Sequence, residues 1–92
     1  MDLQLSGTIT NIFQAEAKTE SFTVREFHVL TDGQYGQYIR FQLTNDRCDI
    51  IDPFFVNQSV TVLFNINGKK PGEDQKLFNN LTAWKIVSNE NR

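Results

Sequence analysis

One helix-like segment interrupts an otherwise strand-like chain, and its position constrains the fold more than any other feature. It lies within Gln37 to Val62, QYIRFQLTNDRCDIIDPFFVNQSVTV, after the third of five strand-like segments. Asn45 or Asp46 can cap it, and Asp49 sets a carboxylate near the positive end of its dipole. Ile50 and Ile51 give it a small apolar side, and Pro53 stops it, because the residue before a proline is pushed out of the helical region. The flanking runs are rich in Phe, Ile, Val, Thr and Tyr and are joined by Gly-containing turns. The chain is therefore predicted to be all-β: a five-stranded barrel with one short helix between strands three and four, plugging the open end with Ile50, Ile51 and Phe54 or Phe55.

The other segments fit that frame. Leu3, Leu5, Gly7 and Ile9 alternate with Gln4, Ser6, Thr8 and Thr10, and the phase slips at Ile12-Phe13. A glycine followed by a slip predicts a long first strand that bends or bulges to serve both halves of the barrel. Ala15 to Ser21 is polar and reads as a loop. The second strand spans Ser21 to Thr31, with Phe22 and Val24 on one phase and Phe27 and Val29 on the other, so a bulge is expected near Arg25-Glu26. Asp32-Gly33 opens a hairpin loop of about five residues. In the third strand Ile39, Phe41 and Leu43 point inward while Tyr38, Arg40 and Gln42 point outward. Val60, Val62, Phe64 and Ile66 mark the fourth strand, and Lys76 to Val87 the fifth. Between them Asn67-Gly68 begins a loop dense in glycine, proline and charge. Residues 1–92 form a single domain, with residues 88–92 as a frayed tail.

Composition narrows the function classes. A chain of 92 residues hides only roughly 60% of the surface its unfolded form exposes, so the eight Phe matter to a thin core. No apolar run exceeds three residues, against the roughly 20 of a membrane span, and no basic and apolar leader opens the chain. The single cysteine, Cys48, excludes an internal disulfide and a Cys-based zinc site, in keeping with a reducing compartment; the cytoplasm is expected. Cys48 itself reads as a small buried hydrophobe. A net charge of −2 argues against a broadly basic surface, though not against a local basic stripe.

No catalytic constellation, phosphate-cradling loop or nucleotide fingerprint is present. His28 stands alone, and Asp46, Asp49 and Asp52 are spaced by three, whereas calcium loops space ligands by two and end on Glu. A non-enzyme without cofactor or metal is expected. The candidate site is instead a set of rings and cations: Tyr38 and Arg40 on the outward phase of strand three, Tyr35 in the preceding turn, Arg25 on strand two, and Lys69, Lys70 and Lys76 on the long hairpin. Single strands of nucleic acid need both kinds, a positive groove for phosphates and exposed rings on which bases stack. Tyr35 and Tyr38 could equally be half-buried rim or interface residues, and the lysines, diluted by Glu73 and Asp74, a solvated loop. Trp84 reads as a core or subunit-interface residue rather than a stacking one.

Five strands with a helix after the third is the OB-fold order. Leu5-Ser6-Gly7-Thr8-Ile9 resembles the opening strand of single-stranded-DNA-binding proteins and of primosomal replication protein B. Phe27-His28-Val29-Leu30-Thr31 resembles their second strand and Gln58-Ser59-Val60-Thr61-Val62 their fourth. With the ending Asn80-Leu81-Thr82-Ala83-Trp84-Lys85-Ile86, the chain most resembles a family of small bacterial OB domains of uncharacterised function. The resemblance implies a module for single-stranded DNA or RNA in replication or repair. After Asn91-Arg92 there is none of the glycine-rich extension or acidic tail of the DNA-binding proteins, so it implies the homo-oligomeric state, dimer first, of the primosomal protein. The alternative is a protein-interaction or oligomerisation module on the same barrel, with a sugar- or small-molecule-binding domain third. Cation placement separates the first two: convergence of Arg25, Arg40 and the loop lysines on one groove favours nucleic acid, and their dispersal among Glu16, Glu20 and Glu26 does not.

Overall fold

A computed structural model of the chain describes residues 3–68, 73 and 79–89. Its elements in order are β1 (Leu3–Ile12), β2 (Glu16–Thr19), β3 (Phe22–Thr31), β4 (Tyr38–Thr44), a 3-10 helix (Asn45–Ile51), β5 (Ser59–Gly68) and β6 (Asn79–Ser88). The sheet runs β1-β5-β6-β4-β3-β2, and a further β1–β3 pairing joins it on itself. β1, β5, β6, β4 and β3 thus close a five-stranded barrel with the helix between its third and fourth strands, the OB-fold.

β1 serves both halves of the barrel, as its glycine and phase slip predict. Leu3 to Thr8 pair with β5, and Gly7 to Ile12 pair with β3. A register shift between Ile9 and Asn11 absorbs Thr10 as an extra residue. Gly7 lies at the crossover, where a Cβ would sit on the Leu30 carbonyl oxygen and 2.6 Å from Val29 Cγ1. Only glycine lets the three strands approach this closely.

The core lies inside the barrel and under the helix. Phe27, Val29, Phe41, Leu43, Val60, Val62 and Ala83 are fully buried, with Ile9 from β1 and Ile51 from the helix. Phe41 holds the centre: its ring stacks 5.4 Å from Phe27 and meets Phe64 at 5.1 Å. Ile50 and Phe54 pack on this cluster, whereas Phe55 is exposed. Cys48 is buried and donates its thiol to Leu43 O at 3.5 Å. Burial pushes this thiol up from its ordinary pKa, the Asp49 charge adds to the rise, and Arg25 opposes it.

Four local expectations are corrected. The polar stretch read as a loop contains β2, paired to β3 through Glu16↔Val24 and Ala17↔Thr23. All four of its residues are exposed, so backbone pairing alone defines it and no apolar alternation could reveal it. The bulge expected at Arg25-Glu26 is absent, since β3 and β4 pair without interruption from Val24↔Thr44 to Leu30↔Tyr38. The phase slip arises because Arg25 takes the inward phase opposite Leu43, while Val24 on the outward phase is covered beside Phe13 and Ala15. The helix begins without a side-chain cap: Asn45 has φ +50 and its Oδ1 accepts from Thr23 N at 3.0 Å. Nor does Pro53 act through the residue before it, because Asp52 keeps helical angles (φ −57, ψ −38). The proline simply lacks an N–H to continue the ladder, and Phe54 N closes the turn on Ile51 O at 3.0 Å. The start of the fifth barrel strand expected at Lys76 lies outside the described residues, as does the tail from residue 90.

Candidate nucleic-acid interface

The outward face of β3 and β4 is built by strand alternation. Because Phe27, Val29, Phe41 and Leu43 point into the barrel, their neighbours point out, and the register sets them in rows: Leu30 opposite Tyr38, His28 opposite Arg40, Glu26 opposite Gln42. Tyr38 is 73% exposed and Tyr35 is 79% exposed, values that exclude a half-buried rim role within one chain. Tyr35 stands in the β3–β4 hairpin, which is closed by Thr31 N donating to Gln37 O at 2.9 Å and Gln37 N donating to Thr31 Oγ1 at 2.9 Å. Gly33 supplies the φ of +114 that this turn requires. Arg40 Nε lies 4.0 Å from Glu26 Oε2, a solvent-screened contact that leaves the guanidinium available.

The face also holds two residues, Phe13 and His28, that sequence reading did not place in the candidate site. Phe13, in the loop just after β1, meets the His28 ring edge-on at 4.9 Å and remains 43% exposed. Alternation with Phe27 and Val29 already places His28 outward, but the approach of Phe13 depends on how β1 leaves the barrel. Phe13 also lines a cleft of about 480 Å³ beside β2 with Val24, Glu16, Lys18 and Glu26, in which Lys18 is paired to Glu16 at 3.0 Å.

Arg25 does not join the face. Its Nη1 makes a 2.6 Å ion pair with Asp52 and donates to Cys48 O at 3.2 Å, and its Nε donates to Phe13 O at 2.8 Å. The side chain is mostly buried and ties the helix to the ends of β1 and β3. Lys69, Lys70 and Lys76 lie outside the described residues. The arms that carry their loop are described: β5 and β6 pair out to Gly68↔Asn79, and Asn65 to Asn67 are exposed.

β4 and β6 meet in parallel at a single register pair, Gln42↔Thr82. Gln42 Nε2 donates to Thr82 Oγ1 at 3.2 Å, and that hydroxyl donates to Asn67 Oδ1 at 2.6 Å. Beside this pair the two strands diverge around a pocket of about 160 Å³ lined by Arg40, Gln42, Asn79, Asn80 and Leu81. Trp84 is the extra residue of a bulge in β6, between the pairs Leu63↔Lys85 and Phe64↔Ala83, and is half-buried outside the central core. Among the described residues no group of three or more His, Cys, Asp or Glu side chains could hold a metal ion, and no helix is long and apolar enough to cross a membrane.

The barrel, its strand order and the single helix define a small OB-fold domain whose outer face exposes Tyr35 and Tyr38 and sets Arg40 beside Glu26. The chain belongs to the family described as a domain of unknown function (DUF3127), which matches residues 4–87. Solved structures share the architecture at low sequence identity. The mitochondrial single-stranded DNA binding protein Rim1 of S. cerevisiae superposes with a TM-score of 0.78 at 11% identity, over 100% of this chain and 98% of that one. The N-terminal domain of PriB from Thermoanaerobacter tencongensis, described as dimeric, gives 0.68 at 12% identity over 98% and 97%. The second single-stranded DNA binding protein of Mycobacterium smegmatis gives 0.67 at 11% identity over 96% and 87%. No curated protein matches the chain.

Proposed function

We propose that this domain is a non-catalytic module that holds single-stranded nucleic acid, DNA in the first place, along the outer face of β3 and β4. Tyr35 and Tyr38 stack on bases, while Arg40 and the hairpin lysines Lys69, Lys70 and Lys76 follow the phosphates. The observation that carries this reading is the pair of tyrosines, both more than 70% exposed, beside a guanidinium that stands two residues from Tyr38 on the same strand face. Rings this exposed are free to stack on bases, and the strand face with the long-hairpin loop is where OB-folds take oligonucleotides. Arg25 is left out of the phosphate set, since its charge is committed to Asp52. Holding by stacking and phosphates alone is tolerant of sequence. A cytoplasmic homodimer serving replication or repair completes the reading, supported by the likeness of the fold to the N-terminal domain of PriB, described as dimeric.

The rival is an assembly module in which the same rings meet another protein, favoured by the net charge of −2. Fluorescence anisotropy of a labelled oligothymidine at low and moderate salt separates the two. The domain is expected to bind, to weaken as salt rises, and to lose about 1–3 kcal/mol with Tyr38→Ala. Arg40→Ala is expected to lower the salt slope by about one. No binding at micromolar protein, with light scattering reporting a stable oligomer, would leave the assembly module in its place.

A further inference from the structure

The pocket at the β4–β6 seam has a chemistry that stacking and phosphate contacts do not explain. Four of its five lining residues carry amide or guanidinium groups, Arg40, Gln42, Asn79 and Asn80, and Leu81 supplies an apolar wall. Its volume, about 160 Å³, gives room for one ring and not for a length of chain. It opens because β4 and β6 share a single pair, so the backbone does not zip the gap closed.

The hydrogen-bond chain through this seam runs from Gln42 through Thr82 to Asn67. Thr82 donates to Asn67 Oδ1, so Thr82 Oγ1 accepts from Gln42, and the Gln42 amide is held by its nitrogen. No hydrogen bond to its Oε1 is found among the described residues, and Gln42 and Arg40 line the pocket together. An oriented acceptor next to a cationic donor matches a base edge on which an amino group lies beside a ring or carbonyl acceptor.

Resting on the proposed function, we infer that this pocket takes a single nucleobase bearing an exocyclic amino group, read by Gln42 Oε1 with Arg40 and Asn80. The site superimposes a base preference at one position on otherwise sequence-tolerant binding. Cytosine and thymine make a direct comparison, because both are single-ring bases and this edge is reversed between them, amino donor and ring acceptor in cytosine against carbonyl acceptor and ring N–H donor in thymine, which also bears a methyl group.

The test is the ratio of affinities for oligodeoxycytidine and oligothymidine of equal length at fixed salt, in the full chain and in two variants. The intact protein is expected to favour oligodeoxycytidine by about fivefold or more, the lower bound for one well-made base contact. Gln42→Leu is expected to bring the ratio close to one. Asn80→Ala, on the exposed ribbon where folding is not at stake, is expected to lower it in the same direction. Equal affinities in the intact protein, or a ratio that survives both substitutions, overturn the inference while the proposed function stands. Failure to bind either oligonucleotide overturns both.

Discussion

Arg25 and Arg40 sit fifteen positions apart in the chain, yet the barrel gives them opposite work. Arg25 faces inward and spends its guanidinium on Asp52 and two carbonyls, holding the helix against the barrel mouth. Charge-assisted bonds of this kind contribute about 1.5–3 kcal/mol each, so Arg25→Met is expected to lower the urea-unfolding free energy by about 2 kcal/mol or more. Arg40→Ala, at an exposed site with one screened contact, is expected to stay within about 0.5 kcal/mol of the parent. A stability loss for Arg40→Ala as large as that for Arg25→Met would undo this division. Strand phase made Tyr38 and Arg40 legible from sequence, because two-residue alternation with Phe41 and Leu43 is unambiguous. Arg25 was not legible: its neighbours Phe22, Val24, Phe27 and Val29 suggest a bulge, and only the position of Asp52 on the helix shows where the guanidinium goes.

Each barrel strand announces itself by apolar alternation, while β2 does not, because it packs on nothing and exists by pairing with β3. The helix was legible in place but not in kind. Its stop signal is real, yet it is a 3-10 helix whose expected cap, Asn45, instead binds Thr23 of β3. Two predictions belong at this level. Gly7→Ala inserts a Cβ into the β1–β3 crossover and is expected to cost about 1–3 kcal/mol by urea denaturation, as overpacking of a close strand approach does. A neutral result would mean that β1 crosses elsewhere. Cys48 tests the seating of the helix. Its thiol is raised in the fold, so the folded state keeps the proton where the unfolded chain loses it. Its contribution is fully present below the ordinary thiol pKa and is lost as pH rises above that value. The unfolding midpoint is expected to fall in that alkaline range more steeply for the parent than for Cys48→Ala. Parallel curves would show the thiol open to water in the fold.

At the scale of the whole molecule, strand phase divides the residues between the core and an exposed outer face. The inward phases of five strands and one side of the helix make the core, and the outward phase of β3 and β4 collects Tyr38, Arg40, His28 and, through the loop after β1, Phe13. The seam with β6 adds a polar pocket at the edge of that face. The overall barrel followed from the sequence because strand count and helix position select one small fold. The seam did not, since its pocket depends on where two parallel strands separate. The most direct measurement is a titration of isotope-labelled protein with unlabelled oligothymidine, followed by backbone amide NMR shifts. Shifts concentrated on residues 35–42, with the matching arm residues 79–82, and small on the β1–β5 surface are expected. Shifts confined to β1 and β5, or none at saturating oligonucleotide, would contradict the assignment of this face to nucleic acid.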